Sequence, residues 1–128
     1  MRKKRLLLVD DEEAFAGILK LNLEETGAYE VTVQTDGTKA VETARAFQPD
    51  LILLDVVMPD SDGGQIGAEL LADRVLQSIP IIFLTAAISQ KELEGPYGMV
   101  GGRLFIAKPV DKRVLVQVIE QQLAKLEP

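Results

Sequence analysis

Leu51-Ile52-Leu53-Leu54-Asp55-Val56-Val57-Met58-Pro59 is the stretch from which the fold is read. Its four leading apolar residues show neither the 3.6-residue period of an amphipathic helix nor the alternation of a half-buried strand. A run this short, with Pro49 before it and Pro59 after it, reads as a strand apolar on both faces. Such a strand belongs in the middle of a parallel sheet with helices covering each side. Asp55, directly behind the run, is poorly explained as a turn residue before Pro59.

Working outward, further short runs repeat the theme. Leu6-Leu7-Leu8-Val9 lies upstream, and Tyr29 to Thr35 alternates with Val31 and Val33 on one face. Downstream are Ile81-Ile82-Phe83-Leu84, after Pro80, and Leu104-Phe105-Ile106-Ala107. Helix-like segments separate them. Asp11 to Glu25 sets Phe15, Ile18, Leu19 and Leu23 at helical spacing, with Gly27 as a stop signal. Asp36-Gly37 marks a turn, and Thr38 is placed to cap a helix running to about Phe47. Ile66 to Leu76 reads as helix after the breaks at Pro59, Gly63 and Gly64, and Ser89 to Glu94 as a short one. Asp111 can cap the last, with Leu115, Val118, Ile119 and Leu126 along one face. Five apolar runs alternating with five helices predict βαβ units and a doubly wound α/β sandwich.

Composition narrows the function. The 128 residues, 47% hydrophobic and 27% charged, are about one globular domain's worth, and 1–128 is read as a single domain with no output domain. No Gly/Ser-rich or Pro-rich linker divides it. Without Cys there is no disulfide, thiol nucleophile or thiolate zinc site. Without His there is no Ser-His-Asp triad, imidazole metal cluster or phosphohistidine. A net charge of −6 disfavours direct binding to nucleic acid. The apolar runs are far shorter than the roughly 20 residues that cross a bilayer, so no membrane partner is expected. Arg2, Lys3, Lys4 and Arg5 read as a basic strand entrance, because Asp10 to Glu13 interrupt any signal-peptide pattern. A cytoplasmic location is the matching expectation.

In a doubly wound sheet, ligands sit beyond the carboxyl ends of the strands. There the runs end in Asp10-Asp11, Asp55, Thr85 and Lys108. Parallel topology would bring them to one edge. Clustered carboxylates repel unless a cation binds or some stay protonated. Oxygen-only ligands favour a hard cation such as Mg²⁺, which keeps waters and binds phosphate. A carboxylate beside it can act as a nucleophile toward phosphorus and form an aspartyl phosphate. Lys108 would add positive charge, and Thr85 a hydroxyl donor. Taken singly, each residue has a bland reading. Asp10, Asp11 and Thr85 can be caps, Lys108 a solvated strand end, Phe105 core, and Glu12 and Glu13 solvated first-turn acids.

Together, these pieces resemble the receiver domain of two-component response regulators, of the stand-alone chemotaxis-protein type. The match runs from Leu6 through the last helix, on Leu8-Val9-Asp10-Asp11, Leu54-Asp55-Val56-Val57-Met58-Pro59-Asp60 with Gly63 after it, Leu84-Thr85-Ala86 and Ala107-Lys108-Pro109. The resemblance implies a flavodoxin-like, five-stranded parallel sheet of order 2-1-3-4-5 flanked by five helices. It implies Asp55 as phosphoacceptor, and Asp10, Asp11, Asp55 and the backbone carbonyl of Val57 as Mg²⁺ ligands. Lys108 is implied as the phosphoryl contact, and Thr85 and Phe105 as the switch pair. It further implies a histidine kinase or histidine phosphotransfer protein as donor. A downstream protein would bind through the face of the fourth helix, fifth strand and fifth helix, with homodimerisation left open. Beyond its own phosphorylation and slow dephosphorylation, the chain is expected not to be an enzyme. The alternative is a phosphorylation-independent interaction module. A phosphatase would want a second Asp where Val57 stands, and a nucleotide or flavin site a glycine-rich turn where Asp10 to Glu13 stand.

Two departures stand out. Gly95, Pro96, Gly98, Gly101 and Gly102 should end the fourth helix early, leave an irregular loop and alter the output face. The resemblance implies that the positions of Val57 and Ala87 tune hydrolysis of the acyl phosphate, and since neither side chain orients water, slow loss of the phosphoryl group is expected.

Overall fold

The computed structural model describes residues 2–59 and 61–126. Asp60, part of the motif above, and Pro128, the predicted domain end, lie outside the described residues. The strands are β1 (Lys4–Val9), β2 (Tyr29–Gln34), β3 (Leu51–Asp55), β4 (Val57–Met58), β5 (Ser61–Asp62), β6 (Ile81–Thr85), β7 (Tyr97–Val100) and β8 (Arg103–Ala107). The helices are α1 (Glu13–Glu24), α2 (Ala40–Phe47), α3 (Gly63–Ala72), α4 (Gln90–Leu93) and α5 (Lys112–Ala124).

The main sheet has the order β2-β1-β3-β6-β8-β7. Its first five members are parallel and reproduce the expected order. Alternate residues of each central strand feed opposite layers. Leu6, Leu8, Leu51, Leu53 and Leu84 pack with Leu19 and Leu23 of α1 and Leu115 and Val118 of α5. Leu7, Val9, Ile52, Leu54 and Phe83 pack with Ala44 of α2 and Ile66 and Leu70 of α3. Both faces are buried, which is why these strands are continuous apolar runs.

Several expectations need correction. The glycine-rich segment is not an irregular loop. Helix α4 does end after four residues, at Glu94 in the left-handed region, but the chain then forms β7, antiparallel to β8. Gly101 (φ 58°) and Gly102 (φ 80°) make the two-residue turn between them, which needs positive φ at both positions. Asp36, not Thr38, caps the turn before α2, its Oδ1 accepting from the Thr38 N–H at 3.0 Å. Helix α3 starts at Gly63, three positions before Ile66, because Asp62 caps it by accepting from the Gly64 N–H. Ile18 and Leu126 are exposed rather than core, since the buried stripe of α1 runs through Ala16, Leu19 and Leu23.

Candidate functional site

Asp10, Asp55 and Thr85 follow or end β1, β3 and β6, and all three are buried, at 0%, 4% and 1% exposure. A parallel sheet delivers its strand ends to one edge, so residues far apart in sequence meet there. Carboxylate oxygens of Asp10, Asp11 and Asp55 lie within 4.8 Å of one another. Asp10 is more than a local cap. Its Oδ1 accepts from the Glu12 N–H at 3.0 Å, while its Oδ2 accepts from Lys108 Nζ at 3.0 Å. Lys108 leaves the end of β8, and its N–H donates to the Thr85 carbonyl at 2.8 Å. Its ammonium lies 3.6 Å from Asp55 Oδ1. It is therefore part of the cluster and not a solvated strand end.

Burial above all, and then the adjacent Asp10 charge, push the Asp55 carboxyl up to about 6. Lys108 and the Val57 backbone N–H pull it down, and Asp11 adds to the rise. For Lys108, burial works against the charged form. The hydrogen bond and charge of Asp10, with help from Asp55 and Glu12, outweigh it and hold the ammonium above its ordinary value.

Thr85, Val57 and Phe105 are the remaining expected residues. The Thr85 hydroxyl oxygen accepts from the Ala87 N–H at 2.9 Å, which leaves its own proton to donate. Val57 sits two positions beyond Asp55 with its side chain exposed, in the β4–β5 hairpin. Phe105 does not reach the acidic cluster. It is half-buried and stacked on Phe83, with ring centroids 5.3 Å apart. Gly63 admits the closest approach to Asp55. Its N–H donates to the Val56 carbonyl at 2.9 Å, and a Cβ there would fall against the Asp55 carbonyl oxygen and 2.6 Å from Val56 Cα.

Two contributors went unrecognised in the sequence. Glu12, read as a solvated first-turn acid, accepts from Lys108 Nζ at 3.3 Å through Oε1. Phe15, read only as one of the residues at helical spacing, lies beneath the same ammonium, which is 4.5 Å from its ring centroid. No linear signal marks either, because their partner, Lys108, is more than ninety positions away in sequence.

The donor set tests the metal expectation. It is all oxygen, three carboxylates grouped together, and so suits a hard divalent cation and not a thiolate- or imidazole-loving one.

A doubly wound sheet with an acidic trio and a lysine at its carboxyl edge defines a receiver, and the family relationship agrees. The model of the response regulator receiver domain matches residues 6–120, and the chain belongs to that family of two-component signalling domains. The chain is 36% identical over 111 residues to the alkaline phosphatase synthesis transcriptional regulatory protein PhoP of Bacillus subtilis (strain 168). That match takes in 86% of this chain but spans only 44% of the relative's length. The signal receiver domain of a signal transduction histidine kinase from Syntrophus aciditrophicus is 31% identical, with TM-score 0.79, covering 97% of this chain and 92% of that one. A CheY-like response regulator receiver domain protein from Methanospirillum hungatei JF-1 is 26% identical, with TM-score 0.79, covering 97% and 96%. No helix among the described residues is long and apolar enough to cross a membrane.

Proposed function

We propose that Asp55 accepts, in the cytoplasm, a phosphoryl group from the phosphohistidine of a sensor histidine kinase or histidine phosphotransfer protein. The observation that carries this reading is the buried Asp55 carboxylate, inside an acidic trio and 3.6 Å from Lys108 Nζ. An Asp55 oxygen bonds to phosphorus as the phosphorus–nitrogen bond to the donor breaks, and the leaving imidazole keeps the electron pair. Asp10, Asp11 and Asp55, with the Val57 carbonyl, would hold Mg²⁺, which supplies positive charge to the phosphoryl oxygens. Lys108, fixed in advance by Asp10 and Glu12, adds a second positive charge without having to reorganise. The Thr85 hydroxyl donates its free proton to a phosphoryl oxygen. Exposed Ile18 and Leu21 give α1 an apolar surface for the donor to dock on.

The phosphorylated state then shifts a two-state equilibrium. Thr85 and Phe105 are the moving pair, and Phe105 must leave or tighten its stack on Phe83. A downstream protein reads the change on the face of α4, β8 and α5, where β7 now forms the outer strand. Dephosphorylation is slow, because the side chains of Val57 and Ala87 position no water.

Intact mass after incubation with acetyl phosphate tests the reading. One added phosphoryl group is expected, absent without Mg²⁺ and absent in Asp55→Ala. No gain, together with no binding of beryllium fluoride, would replace this function with a phosphorylation-independent interaction module.

A further inference from the structure

The outer strands of the main sheet present two edges of different character. On β1 the Lys4 N–H donates to the Ala28 carbonyl and the Asp10 N–H to the Gln34 carbonyl, so Val31 of β2 turns its peptide groups outward. That edge is guarded. The Val31 N–H donates to Glu24 Oε2 at 3.1 Å, and Glu30 lies within the strand. Charged residues on an edge and occupied outward groups discourage further pairing.

The β7 edge has neither protection. Tyr97-Gly98-Met99-Val100 carries no charge. The Ala107 N–H donates to the Pro96 carbonyl at 3.2 Å, which sets the alternation. Gly98 and Val100 pair with β8, while Tyr97 and Met99 turn their N–H and C=O groups outward. Among the described residues, no side chain bonds either outward N–H. Met99 is 64% and Val100 46% exposed. Met99 also lines a groove at the hairpin-turn end, shared with Leu71, Ile81, Phe83, Arg103 and Lys125. The charged groups lining that groove are both basic, on a chain of net charge −6.

Size and charge select the occupant. Four residues of edge cannot supply the roughly 1,200 Å² that a stable pairing of two folded domains buries. An extended segment needs only the edge, the groove and an acid for the rim. We propose that the β7 edge and its adjoining groove form a strand-addition site for an extended segment of a partner protein, apolar at alternate positions and bearing an acidic residue. The site stands independently of phosphoryl transfer at Asp55.

The probe is a short synthetic peptide alternating valine with threonine and ending in glutamates, titrated to millimolar concentration into the isotope-labelled chain. The Tyr97 and Met99 amides should shift, and their hydrogen exchange should slow by at least about tenfold. A peptide with lysine for glutamate should bind at least about threefold more weakly. Met99→Pro removes an outward N–H that the β7–β8 ladder does not use and should abolish the effect. If that variant fails to fold, Met99→Lys, which places a charge on the edge, should do the same. Unmoved Tyr97 and Met99 amides, equal affinity for both peptides, or full binding by the folded variants would overturn the proposal. So would protection of both amides in the protein alone together with concentration-dependent dimerisation, since a second copy would then own the edge.

Discussion

Lys108 and Asp10 stand 98 positions apart in the chain, yet Lys108 Nζ lies 3.0 Å from Asp10 Oδ2. Asp10 is fully buried, and only 12% of the Lys108 side chain is exposed. Such a carboxylate is costly without its partner. The same ammonium is shared with Asp55 and Glu12, so one cation serves three acids. Its position is set by the fold itself.

Removing that cation should therefore cost stability as well as reactivity. Lys108→Met is expected to lose about 2–4 kcal/mol in urea unfolding at neutral pH without metal, because it leaves Asp10 unpaired. Mg²⁺ should return part of the loss. A variant as stable as the parent would show that Lys108 does not support Asp10.

Asp55 predicts a pH-dependent gain in stability when its charge is removed. Its folded pKa of about 6 lies above its ordinary 3.8, so the folded state holds the proton more tightly than the unfolded one. The resulting stability is fully present below about pH 4 and is lost as pH rises through about 6. Asp55→Asn stays neutral throughout. Without metal it should exceed the parent by up to about 3 kcal/mol near pH 7.5 and by almost nothing near pH 4. Denaturant unfolding at the two pH values checks this, and an equal gain at both would count against a raised pKa.

Gly63 should tolerate no side chain. In Gly63→Ala the added Cβ meets backbone at Asp55 and Val56, which cannot rotate away. A loss of about 2 kcal/mol or more is expected, with Asp55 labelling by acetyl phosphate reduced alongside it. Thermal unfolding and intact mass together provide the check.

The hairpin turn should respond to conformation alone. A Cβ at Gly102 meets nothing within 4 Å, but its φ is 80°. Gly102→Ala should cost about 1 kcal/mol, while Gly102→Asn, which adopts positive φ more readily, should cost less. Equal stability of all three proteins would argue against the β7–β8 turn.

Val57→Asn supplies a side chain able to position water beside Asp55. Loss of the phosphoryl group, followed by intact mass over time, should accelerate by several-fold. An unchanged rate would remove Val57 from control of the phosphoryl lifetime.

The fold class was legible because burial on both faces writes itself into sequence as unbroken apolar runs, as at Leu51–Leu54. The site was legible because parallel topology gathers strand ends, so Asp10, Asp55, Thr85 and Lys108 were identified from their place behind those runs. Glu12 and Phe15 were not, since their role depends on where the Lys108 ammonium comes to rest, 96 positions from Glu12. The strand β7 was hidden for a related reason. Glycine and proline announce where a helix must stop, and α4 stops there. They do not say whether the chain that follows will find a pairing partner. Strand formation by Tyr97–Val100 required the edge of β8 to be in place, because the hydrogen bonds of a strand belong to its neighbour. Local sequence thus determined the elements with their own burial pattern, and the tertiary structure alone decided which distant charges and which unpaired edges would meet.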